Sequence, residues 1–71
     1  MSEEKLIRMA NQIAAFFEVQ RGDRAGPVAT HISENWPAPM RAELLAHVQA
    51  GGAGLHPLVI EAAPRIRPVS G

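Results

Sequence analysis

The chain contains no cysteine and no tyrosine, and its aromatic residues are Phe16, Phe17 and Trp36 alone. Without thiols there is no disulfide and no thiolate metal site, a composition compatible with a reducing cytosol. An excess of either charge is also missing, because seven Lys and Arg balance seven Asp and Glu. A surface of that kind gathers no phosphates, so nucleic-acid binding is not expected. The one basic pair, Arg65 and Arg67, stands beside prolines and reads as part of a solvated tail. No apolar run approaches the roughly 18 residues that suggest a membrane span. The opening MSEEKLIRM is acidic where an export signal is basic. A cytoplasmic protein with no membrane contact is the expectation.

Length is scarce too. A chain of 71 residues makes one small domain, and such a chain buries only about 60% of its unfolded surface. Below roughly 70–80 residues a lone core seldom supplies more than about 3–5 kcal/mol, so disulfides, a metal or a partner are usually added. Cysteine is absent, and His31, His47 and His56 lack the i,i+4 or HxH spacing that sets two imidazoles on one zinc. They read as surface or capping histidines. A partner is the remaining staple.

What the sequence does contain is helical periodicity and punctuation, with no strand signal. The expectation is an all-α protein: a small bundle of three to four short helices over residues 1–63, with 64–71 as an extended C-terminal tail. Ser2 can cap a first helix at about 3–20, with Glu3 and Glu4 at the favourable end of the dipole and Gly22 in the turn beyond. Arg21-Gly22-Asp23 matches an integrin-adhesion tripeptide, which the helix-ending glycine explains better. Pro27 suits the start of a second helix, about 27–36, in which Val28, Ile32 and Trp36 recur every four residues until Pro37 stops it. Pro39 opens a third, about 39–50, with Met40, Leu44 and Val48 in register, closed by Gly51-Gly52-Ala53-Gly54. A fourth, about 57–63, lies between Pro57 and Pro64.

On a wheel of roughly 100° per residue, Leu6, Met9, Ala10, Ile13, Phe16 and Phe17 fill an arc of about 120°, and Ile7 and Ala14 widen it to about half the circumference. A surface helix needs a stripe of only about 100°. The surplus is read in two ways: as core of the domain itself, or as a face for another protein. In the third helix Arg41 falls inside the apolar arc and in the first turn, where a cation meets the unfavourable end of the dipole. Either its stem lies on the core with the guanidinium in water, or it forks onto a partner's carboxylate or carbonyls. Trp36, at the Pro37-Ala38-Pro39 bend, is either corner packing or an interface anchor.

Catalytic signals are absent from the pattern. Ser2, Ser33 and Ser70 have no nucleophile turn around them, the carboxylates are spread along the chain, and the glycine run follows a helix and lacks the Lys-Ser/Thr of a phosphate loop. The chain itself is expected not to be an enzyme and to hold no metal or cofactor.

The blocks KLIRMANQIAAFF at 5–17, Ala29-Thr30-His31-Ile32, Trp36 followed by Met40-Arg41, and GGAGLHPLV at 51–59 together resemble the delta subunit of NAD-dependent formate dehydrogenases. One departure is visible: the family pattern has proline and arginine between the tryptophan and Met-Arg, where this chain has Pro37, Ala38 and Pro39. The resemblance implies a small accessory subunit of a cytoplasmic molybdenum- or tungsten-dependent complex that oxidises formate and passes electrons to NAD. It further implies a large (alpha) subunit with bis-molybdopterin guanine dinucleotide and iron–sulfur clusters, and beta and gamma subunits that carry FMN and the NAD site. By position, the residues expected to meet a partner are Asn11, Gln12, Phe16, Phe17, His31, Trp36, Met40, Arg41, Leu55, Pro57 and Leu58. The expected role is to bind and stabilise the large subunit, with a transient assembly chaperone for molybdenum-cofactor insertion as the alternative.

Overall fold

Ser2 begins the first helix as its sequence suggests, its hydroxyl accepting from the Lys5 N–H at 3.2 Å. From there the computed structural model, which describes residues 2–67, runs through α1 (Glu3–Glu18), α2 (Ala25–Asn35), α3 (Ala38–Gln49) and α4 (Pro57–Ala62) into a 3-10 turn (Ala63–Arg65). The described residues form no strand. The protein is a small all-α fold.

The helix ends follow hydrogen bonds that the sequence only partly announces. α1 stops at Glu18, ahead of the expected Gln20, where Arg24 Nη1 donates to the Glu18 carbonyl at 2.9 Å and Gly22 (φ +80°) turns the chain. α2 starts at Ala25, two residues before Pro27, because Asp23 Oδ1 accepts from the Gly26 N–H at 3.2 Å. Pro27 is tolerated there, since an N–H in the first turn has no intrahelical partner. Trp36 ends α2 in an extended conformation (φ −91°, ψ 133°), as a residue before proline prefers. His56 caps α4, its Nδ1 accepting from the Leu58 N–H at 3.0 Å.

The C-terminal segment departs from the expected tail. Pro64 lies in the 3-10 turn, Ile66 is buried, and the Arg67 N–H donates to Ser33 Oγ at 2.8 Å. Arg65, read as solvated, forms a two-pronged pair with Asp23 at 2.9 and 3.1 Å. That contact joins the α1–α2 connection to the 3-10 turn. Residues 68–71 of the expected tail lie outside the described residues.

The core is one cluster. Leu6, Ala10 and Ala14 on α1 meet Val28, Ala29 and Ile32 on α2, Val59 and Ala62 on α4, and Ile66, while α3 contributes Leu44 as its one buried residue. Alanines at the centre of α1 let its neighbours approach closely. Next to them, Asn11 fastens the glycine-rich connection: its Nδ2 donates to the Gly54 carbonyl at 2.9 Å and its Oδ1 accepts from the His56 N–H at 2.8 Å. Two histidines strengthen the same side, His47 sitting between Glu3 (2.7 Å) and the Ala53 carbonyl (2.8 Å), and His56 reaching Glu18 through Nε2. His56 Nδ1 is an acceptor, so its proton is on Nε2, facing the carboxylate. Gly52 and Gly54 hold positive φ (+66° and +81°) to complete the turn.

Two measurements check this account. Asn11→Ala removes the side-chain partners of the half-buried His56 N–H and the exposed Gly54 carbonyl and is expected to lower stability by about 1–2 kcal/mol in urea unfolding. Gln12→Ala, at an exposed position, is expected to stay within about 0.5 kcal/mol of the parent; equal effects would contradict the clamp. The Asp23 carboxyl is held below its ordinary range, chiefly by the Arg65 hydrogen bonds and then by the Gly26 N–H. Because the folded-state value is the lower one, its contribution is full above the unfolded value of about 3.8 and fades as pH falls through the folded value. The difference in thermal midpoint between the parent and Asp23→Asn should therefore shrink on acidification below about pH 4.

Candidate interaction surface

Opposite the Asn11 clamp, α1 shows a second strip. Met9, Gln12, Ile13, Phe16 and Phe17 are spaced by three and four residues, so they stand on one face of the helix. With His31 from α2 and Trp36 from the α2–α3 corner they line an open groove of about 470 Å3. Phe16 is 67% exposed, the largest ring on the surface, while Phe17 is half-buried. Their rings meet edge to face with centroids 5.0 Å apart, and Phe17 faces the His31 ring at 6.4 Å. Trp36 belongs to the core and is 6% exposed, so it is at once corner packing and a groove-lining residue.

The corner beneath the groove is fixed by Arg41. Its Nη1 donates to the Trp36 carbonyl at 2.7 Å, taking an acceptor left over where α2 stops before Pro37, and its Nε is buried without a partner. Neither reading open in the sequence described this use: the guanidinium ties down the chain's own bend. Met40 lies half-buried against the core beside it.

The expected partner residues thus divide. Gln12, Phe16, Phe17, His31 and Trp36 come together in the groove. Asn11 has both ends of its amide engaged within the chain, Leu55 is buried, Leu58 is half-buried, and Pro57 is the exposed first residue of α4; none of these four lines the groove. Met9 and Ile13 do line it and were not among the expected contacts, although the apolar arc of α1 already contained them.

Chemically the groove is an apolar strip with one amide and one imidazole. No carboxylate, lysine or hydroxyl lines it, so it offers no acid–base pair or nucleophile, and suits burial of another chain's side chains. Among the described residues no three His, Asp or Glu side chains come together as a metal ion needs, and with no cysteine the donor set does not fit an iron–sulfur cluster. No described helix is long and apolar enough to cross a membrane.

Residues 5–63 match the profile of a known family, described as the NADH-dependent formate dehydrogenase delta subunit FdsD. No curated protein sequence matches the chain.

The two aromatic roles can be separated in the free chain. Phe16→Ser removes an exposed ring and is expected to change stability by no more than about 0.5 kcal/mol. Trp36→Ala opens the core and is expected to cost about 3–5 kcal/mol. Urea denaturation of both variants checks this, and a large loss from Phe16→Ser would mean that the ring serves the fold.

Proposed function

The chain belongs to the NADH-dependent formate dehydrogenase delta-subunit family, and from that premise we propose a structural role within the enzyme complex. In this reading the chain is a non-catalytic accessory subunit that docks on the large, cofactor-bearing alpha subunit of a cytoplasmic enzyme. It holds that subunit in its assembled, loaded form. Formate oxidation at a bis-molybdopterin guanine dinucleotide carrying molybdenum or tungsten, and electron transfer through iron–sulfur clusters and FMN to NAD, are the work of the alpha, beta and gamma subunits.

The observation that carries the reading is the exposure of Phe16 beside Met9, Ile13 and Phe17, above a tryptophan already held in place. Aromatic and methionine side chains with a fixed floor are what interface centres are enriched in. A ligand that binds only the folded, assembled state stabilises that state by mass action, without touching the reaction. The contact residues assigned to this docking are Gln12, Phe16, Phe17, His31 and Trp36, with Met9 and Ile13 added.

The test is the complex purified with and without this chain. Loss of the chain is expected to lower the thermal midpoint and the molybdenum content of the preparation, with formate oxidation falling in proportion to metal content. Unchanged midpoint, metal and activity would overturn the role. Recovery of the chain only with immature, metal-poor enzyme would overturn the stable-subunit reading in favour of an assembly chaperone.

A further inference from the structure

The charges of α1 are sorted in a way the groove alone does not require. Glu3 and Glu18 face the clamp side and are paired with His47 and His56. Lys5 and Arg8 lie on the other side. Lys5 precedes Met9 by four residues and Gln12 by seven, and Arg8 precedes Gln12 by four and Phe16 by eight, so both extend the groove strip toward the N-terminal end. Both are exposed, and neither takes part in a salt bridge among the described residues. Glu4 lies one turn before Arg8 without pairing to it, and on the α2 side Glu34 lines a neighbouring depression and is absent from the groove.

We infer that the groove receives an amphipathic helix of a partner subunit, one that lays apolar side chains along Met9, Ile13 and Phe16 and turns Asp or Glu side chains toward Lys5 and Arg8. This rests on the subunit-docking role proposed above and specifies its partner. From Met9 to Phe17 the strip rises about 12 Å, a little over two helical turns, which suits anchors at i, i+4 and i+7. The described residues present no sheet edge, so strand addition has no row of backbone partners to use. A second copy of this chain fits poorly. Two α1 helices face to face offer Lys5 and Arg8 no free carboxylate: packed in parallel the cations meet their own counterparts, and packed antiparallel they reach the far end of the other α1, where Glu18 is already held by His56. Oppositely charged residues on the partner would fix its direction along the groove and speed its encounter.

The experiment titrates the formate dehydrogenase complex lacking this chain with the full-length chain, at low and at high salt. Lys5→Glu combined with Arg8→Glu is expected to weaken association roughly tenfold, and the parent's affinity should fall as salt rises. Glutamate at position 5 lies in the first turn, where a carboxylate is favoured, so the variant should keep parental helicity by circular dichroism. A photo-crosslinking residue in place of Gln12 should capture a partner-subunit peptide with helical apolar spacing and Asp or Glu beside it. If charge reversal and salt leave association unchanged while Phe16→Asp abolishes it, the acidic partner is wrong and the docking role stands. If Phe16→Asp also has no effect, the groove is not the docking surface and both readings fall. A crosslink to a second copy, or to a segment without acidic residues, overturns the inference.

Discussion

The inner edge of α1 is the constraint from which the rest of this small fold follows. It is narrow and made of small or short side chains: Leu6, Ala10 and Ala14 are buried there, with Asn11 beside them. Every other helix reaches that edge by packing or through a connection. α2 and α4 pack on it, α3 attaches through Leu44, and the glycine-rich connection is pinned by one amide that satisfies a carbonyl and an N–H together. Because so little bulk lies inside, close approach substitutes for a large core. The Arg65–Asp23 pair and the Arg67–Ser33 hydrogen bond then secure residues 65–67.

The same constraint places the large side chains of α1 on its outer side. An edge built from alanines leaves no inner room for Phe16, and Phe17 finds half a place between Phe16 and His31. Trp36 links the two sides of the fold. It is buried from below, and its carbonyl is held by Arg41, so the groove above it has a rigid floor. A rigid apolar groove loses less conformational entropy on docking than a mobile one, a property that suits the docking role proposed above.

Much of this was legible in the sequence because the signals are local. Prolines and glycines mark the helix ends, the four-residue recurrence of Val28, Ile32 and Trp36 gives α2, and the over-wide stripe of α1 announces a surplus face. What was not legible depends on residues far apart in the chain. Asn11 reads as a contact for a partner until Gly54 and His56, more than forty positions away, are brought to it within the chain. Arg65 and Asp23 are separated by 42 positions, so no local pattern could tell a paired arginine from a tail. The early start of α2 rests on the Asp23 side chain, whose capping role competes in sequence with the stronger signal of Pro27. Arg41 was conspicuous as an arginine in an apolar arc, yet its acceptor is a backbone carbonyl, and carbonyls carry no residue-specific mark.

The central claim is that the outer face of α1 is covered in the assembled enzyme. Hydroxyl-radical footprinting with mass spectrometry, applied to the free chain and to the intact formate dehydrogenase complex, reads that directly through oxidation of Met9 and Phe16. The account predicts that both are readily modified in the free chain and strongly protected in the complex. Equal modification in the two states would contradict it.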